Sequence, residues 1–181
     1  MRRFTILFCG LVLALAPALA QKHNSADRFG ASSGQDRIAR EVRHELVMLP
    51  FYGVFDNLAF QVNGGTVTLL GQVTRPTLQS DAANAVKRIE GVTNVVNKIQ
   101  VLPLSDFDWQ TRRAEYRTIY GDPNFTKYAF QAIPPIHIIV DNGHVTLVGV
   151  VDSETDKNLA AIRANSVSGV FSVNNELRVQ K

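Results

Sequence analysis

Thiols are nearly absent from this chain of 181 residues, which holds one cysteine, Cys9, and one tryptophan. Cys9 lies in the apolar start of the chain and leaves with it if that start is a cleaved leader. The remaining chain could then hold no disulfide, no thiolate nucleophile and no cysteine-bound metal, which suits an oxidising compartment. Long apolar runs are missing as well. The longest, Phe4 to about Leu15, is broken off by Pro17 and falls short of the roughly 20 residues that a membrane span needs. A basic surplus is also missing. The formal charge of +3 includes Arg2 and Arg3, so without the leader the chain is close to neutral, unlike a nucleic-acid binder. Finally, there is no nucleophile beside a base, no paired carboxylates and no phosphate-binding glycine loop, so the chain is not expected to be an enzyme and no cofactor is implied.

The ends of the leader are readable. Arg2 and Arg3 precede the apolar run, and Ala18-Leu19-Ala20 places small residues at the positions a signal peptidase requires, predicting a signal peptide over 1–20. Phe8 stands where a lipoprotein signal needs a small residue before its cysteine, so Cys9 is not an anchor. Residues 21–35, rich in Ser, Gly, Asn and Ala, read as a flexible linker.

What is present is a repeat. Residues 60–101, shifted by about 78, lie over 138–179 without a gap, with identity at roughly 15 of about 42 positions. Val62, Gly65, Val67, Thr68, Leu69, Gly71 and Val73 recur as Val140, Gly143, Val145, Thr146, Leu147, Gly149 and Val151. Ala82, Ala83, Gly91, Val92, Val95, Asn97 and Val101 recur as Ala160, Ala161, Gly169, Val170, Val173, Asn175 and Val179. Nearly all are apolar residues or glycines, so the duplicated information is a fold, with no reactive set copied alongside.

The spacing specifies that fold. Val67, Leu69, Gly71 and Val73 alternate with polar neighbours, as do Leu58, Phe60 and Val62, and Asn63-Gly64-Gly65 between them closes a hairpin. Thr74, Pro76 and Thr77 open a helix, and Gly91 is expected to close it in a left-handed conformation. Val95, Ile99 and Val101 form a third strand, parallel to the second because a crossover in one sheet is right-handed. Gly71 and Gly149, inside central strands, mark close approach or a bulge. Asn97 and Asn175 are read as satisfying backbone groups at a sheet end or bulge.

The runs VNGGTVTLLGQV and SDAANAVKRIEGVTNVVNKIQV, with VDNGHVTLVGVV and NLAAIRANSVSGVFSVNNELRV in the second copy, resemble the BON domain family of bacterial osmotically induced and nodulation proteins. The resemblance covers nearly all of the chain beyond about residue 35. It implies an α+β chain of two tandem αββαβ modules, each a three-stranded mixed sheet covered on one face by two helices. It also implies an exported protein, periplasmic or secreted, with a part in envelope maintenance and phospholipid as a ligand. The expected modules are 36–102 and 109–181, joined by a short linker at 103–108.

Two stretches stand out as candidate surfaces. The helix starting at Trp109 carries Arg112, Arg113 and Arg117 among Trp109, Tyr116 and Tyr120, a composition suited to a membrane interface, where rings sit among headgroups and guanidinium forks meet phosphate. The repeat offset supplies a competing reading, since Tyr116 and Tyr120 overlay Ile38 and Val42 of the first module's buried helix face. Phe51, Tyr52 and Phe55 form an aromatic connection that either packs on its own core or makes an apolar patch for the other module or a partner. His137 and His144 flank the second hairpin without the further ligands a metal needs. Asp152, Glu154 and Asp156 cap the second crossover helix. The expected role is a non-enzymatic module binding anionic phospholipid headgroups weakly and reversibly. The alternative is a scaffold or chaperone-like module for an envelope protein.

Overall fold

The computed structural model describes residues 25–180, with side chains from residue 34 onward. The expected signal peptide with Cys9, and the start of the linker, lie outside the described residues.

Helix α1 runs Ser25–Val47, so it takes in residues 25–35 that composition assigns to a flexible linker. Once a helix is nucleated, each further residue adds a hydrogen bond, and Gly30 and Gly34 lower its stability without stopping it. The packed part begins as predicted, with Ile38, Val42 and Leu46 buried on one face. Strands β1 (Asn57–Asn63) and β2 (Thr66–Val73) form the antiparallel hairpin, with Val62 opposite Val67. Val67, Leu69 and Val73 are all fully buried, as their alternation requires.

Helix α2 (Pro76–Val86) starts on its proline but stops earlier than Gly91. After Val86 the amides of Arg88 and Ile89 bond back three residues, to Ala85 and Val86, so the end of the helix tightens. Gly91 turns the chain beyond that at φ 88°.

The third strand is broken into β3 (Asn94–Asn97) and β4 (Gln100–Val101), both parallel to β2. Asn97 explains the break. Its side chain accepts from the amide of Ile99 at 3.1 Å and donates to the carbonyl of Gln79 at 2.9 Å, while the Gln79 side chain takes the carbonyl of Ile99. The strand therefore kinks. Ile99 turns inward, but Val101 is 36% exposed and Leu102 takes the buried place.

The second module repeats the plan, except that its first helix stops earlier and is followed by two short helical turns. Helix α3 (Asp106–Tyr120) is capped by Ser105, so it begins inside the segment expected to be linker. Gly121 and Asp122 end it, a 3-10 turn (Pro123–Phe125) and a short helix α4 (Thr126–Ala129) follow, and Phe125 and Tyr128 enter the core. Strands β5 (Ile136–Asp141), β6 (His144–Val151) and β7 (Ser172–Val179) form the second sheet around α5 (Glu154–Asn165). Asn175 repeats the bridge of Asn97, accepting from Leu177 at 3.2 Å and donating to Lys157 at 2.8 Å.

Gly71 and Gly149 admit no side chain. Both have positive φ, and a Cβ would collide with the carbonyl oxygen of Asn57 or Pro135 on the adjoining segment. Each sheet has its own core, yet the modules also share contacts. Val54 and Phe55 of the first pack against the core of the second, and the amide of Ile138 donates to the carbonyl of Val54 at 2.8 Å. Among the described residues no helix is long and apolar enough to cross a membrane.

Candidate functional site

Successive residues of α3 are turned by about 100°, which sorts its side chains into two faces. Asp108, Arg112, Glu115 and Ile119 point one way and are all buried. Trp109, Arg113 and Arg117 point the other way and are exposed. Such a polar buried face is unusual, and each of its charges has a different situation.

Asp108 accepts from the amides of Asn142 and Gly143 at 3.0 and 2.8 Å, so it caps the tip of the β5–β6 hairpin. Arg112 donates to the carbonyl of Val140, and its Nε has no partner. Burial holds its guanidinium below the ordinary value, against the pull of Asp108, Asp56 and Asp141. Glu115 is fully buried with neither oxygen hydrogen-bonded, and desolvation pushes its carboxyl up to about 8. It is therefore mostly uncharged near neutral pH.

This corrects the grouping drawn from the sequence. Arg112 faces inward and cannot meet a headgroup. Tyr116 is partly buried between Phe55 and Tyr120, at ring-centroid distances of 6.2 and 4.9 Å, so it packs as the repeat offset implied. Tyr120 is buried with its hydroxyl donating to the Ile136 carbonyl at 2.7 Å. Trp109, Arg113 and Arg117 remain together. Trp109 is 47% exposed and meets Phe55 in a T-shaped pair at 5.8 Å, and neither arginine has an ion-pair partner among the described residues.

The aromatic connection divides between both modules. Tyr52 packs against the first core and stacks on His137 of the second at 5.6 Å, and burial pushes its phenol up to about 12. Phe55 joins the second core. Phe51 stays exposed at φ 67°, with the Arg75 guanidinium 4.7 Å above its ring. Phe51, Phe55, Leu104, Trp109 and Arg75 line an open cleft of about 590 Å³ where the modules meet, and Leu104 on its rim is 97% exposed.

The histidines are far from forming one site. His137 is held beside the carbonyls of Gly53 and Asp56 with Nδ1 unpartnered, and desolvation lowers its basicity. His144 instead pairs with the Ser172 hydroxyl at 2.7 Å. The acidic cluster at the start of α5 is structural, because Lys127 reaches Asp152 at 2.8 Å and Asp156 at 2.9 Å while the Tyr128 hydroxyl donates to Asp156. No group of three metal-ligating side chains comes together among the described residues.

Sequence reasoning passed over Phe107 and Phe171. Their rings stack at 6.1 Å beside the second hairpin. The signal was present in the repeat: Phe171 replaces Thr93, so the copies differ where a surface aromatic has been added.

Comparison with known proteins bears on the whole chain. A family model described as "BON domain" matches residues 35–103 and 126–181. Helix α3 lies between the two matched stretches. The chain is similar to "Osmotically-inducible protein Y" of Escherichia coli strain K12, 27% identical over 97% of this chain and 95% of that protein. It is also similar to "Outer membrane lipoprotein DolP" of Haemophilus influenzae, 31% identical over 60% of this chain and 55% of that protein. The C-terminal domain of CdsD, a structural protein of the type III secretion system of Chlamydia trachomatis, aligns over 78% of this chain and 96% of that chain at 12% identity, with a TM-score of 0.26.

Proposed function

The chain belongs to the BON domain family, and from that premise we propose that it is a non-enzymatic binding module of the bacterial envelope, attaching weakly and reversibly to anionic phospholipid surfaces through the outer face of α3. One observation carries this reading: Trp109, Arg113 and Arg117 share the solvent face of one helix, and both guanidinium groups lack an ion-pair partner among the described residues. A partly exposed indole suits the headgroup layer, and guanidinium forks suit phosphate.

The strength of binding follows from counting charges. Each basic residue near an anionic surface contributes about 1 kcal/mol, which salt screens. Asp106 on the first turn of the same helix is exposed and opposes the arginines. The sum is a weak, salt-sensitive attachment, consistent with a nearly neutral chain. Export by the expected leader, together with relatives named for an osmotic response and for the outer membrane, supports a periplasmic or secreted location.

The second reading, a scaffold for an envelope protein, is favoured by the cleft between the modules and by exposed Phe51 and Leu104 on its rim. Sedimentation of the purified chain without its leader separates the two. With phosphatidylglycerol vesicles at low salt the chain should pellet, and with phosphatidylcholine vesicles, or at physiological salt, it should largely stay in solution. If it pellets with no vesicle at any salt, the lipid reading fails and the scaffold reading takes its place.

A further inference from the structure

The cleft where the modules meet holds a cation whose hydrogen bonds are only partly made. Arg112 lines it yet is only 4% exposed, and while its guanidinium donates to the Val140 carbonyl, its Nε has no partner. A buried donor left unpaired is costly, and a buried cation more so, unless a ligand completes its hydrogen bonds.

Three carboxylates act on Arg112 through space, and each is already engaged. Asp108 accepts from the amides of Asn142 and Gly143, Asp56 from the amide of Gly53 and the amide and hydroxyl of Thr74, and Asp141 from the Asn142 side chain. No ion pair joins any of them to Arg112 among the described residues. They favour the charged guanidinium without filling the place beside its Nε.

The rest of the cleft says what kind of acid would fit. Arg75 supplies a second guanidinium, also without an ion-pair partner among the described residues, 4.7 Å over the Phe51 ring. Phe51 is 69% exposed and held at φ 67°, a conformation that costs a bulky side chain free energy and is concentrated at functional sites. Leu104, almost wholly exposed, reaches the same cleft from the connection between the modules. Guanidinium forks match carboxylates, and the exposed apolar side chains call for an apolar body behind the acid. At about 590 Å³ the cleft has the size of a ligand pocket, and covering Phe51 and Leu104 as well needs an occupant that continues past it. The end of a polypeptide does both.

We propose that this cleft receives the C-terminal end of a partner protein, with the terminal carboxylate on Arg112, Arg75 adding a second positive charge, and the last apolar side chains against Phe51, Leu104 and Trp109. This rests on the scaffold reading and names the part of the partner that is held; lipid attachment, which uses Arg113 and Arg117, does not enter it. The test uses the chain without its leader and short fluorescein-labelled peptides ending in Phe, Tyr, Leu or Val, each as the free acid and as the C-terminal amide. Fluorescence polarisation should show the preferred free acid binding about ten-fold tighter than its amide. Arg112→Gln should remove that preference, with circular dichroism confirming that the variant folds. Arg75→Gln, at an exposed position, should weaken the acid several-fold and leave the amide unchanged, and Asp106→Asn, which takes an opposing charge from the cleft, should strengthen the acid. Equal binding of acid and amide by the parent overturns carboxylate recognition but leaves the scaffold reading standing. A preference that survives both arginine variants overturns the site, and failure of every peptide in both forms overturns the scaffold reading of the cleft with it. Competition by hydrocinnamate alone as strong as by the peptide would make the occupant a small acid and overturn the docking of a chain end.

Discussion

At the scale of single residues, Glu115 makes the sharpest statement about how the second module is held together. Its carboxyl is raised from 4.5 to about 8 by burial, so the folded state retains a proton that the unfolded chain releases. Stability from this group is therefore fully present below about pH 4.5 and is lost as pH rises toward about 8. Glu115→Gln should leave stability unchanged at the acid end and raise it at neutral pH by a few kcal/mol, at about 1.4 kcal/mol per unit. Urea unfolding across that range checks it, and an equal gain at every pH would show that the proton is not the cause. Gly149→Ala is predicted to be severe, because the new Cβ meets the Pro135 carbonyl at a φ of 138°. A loss of several kcal/mol is expected, on the order of 3 or more. A thermal melt close to that of the parent would contradict the close approach. Arg112 shows the limit of a sequence reading at this scale. An arginine next to Arg113 in a helix rich in charge reads as solvent-facing, and only the folded chain brings the Val140 carbonyl over it.

Elements were more legible than residues, since their signals are periodic. The hairpins could be read because alternation of Val67, Leu69 and Val73 has one physical meaning, burial of one sheet face. The end of α2 and the break in the third strand could not, because both arise from hydrogen bonds that the pattern of apolar residues does not encode. Gln79 and Asn97 lie 18 positions apart, and their mutual bonding with Ile99 exists only once the helix has docked. The repeat made the role of these asparagines inferable, though not its geometry. Asn97→Ala and Asn175→Ala should each cost roughly 1–3 kcal/mol, since each leaves a strand amide without a partner and removes the bridge to the helix. Chemical denaturation measures this. If only one of the two variants is weakened, the bridge is not a device shared by both modules. For α3 the composition located the candidate surface, while the assignment of its residues to faces needed the helix to be seen against β5.

At the scale of the whole molecule, the modules are joined by more than their short linker. Val54 bonds to Ile138, Phe55 lies against Trp109 and Tyr116, and Tyr52 stacks on His137 across the junction. His137 gives this junction a pH dependence. Desolvation lowers its pKa below 6.5, so the folded state resists a proton that the unfolded chain accepts. Stability is present above about 6.5 and declines as pH falls below it, the opposite limb from Glu115. His137→Phe should flatten that acid limb in a stability-against-pH profile, whereas an unchanged limb would place its origin elsewhere. Packing of α3 against β5 fixes which of its faces is presented outward. Trp109, Arg113 and Arg117 look out while Arg112 does not, and lipid attachment through this face depends on that division. Its most direct test is vesicle sedimentation of the Arg113→Glu, Arg117→Glu double variant beside the parent, with phosphatidylglycerol vesicles at low salt. The double variant is predicted to remain in solution while keeping the parent's circular dichroism and melting temperature; pelleting as fully as the parent would contradict the assignment of this face to the membrane.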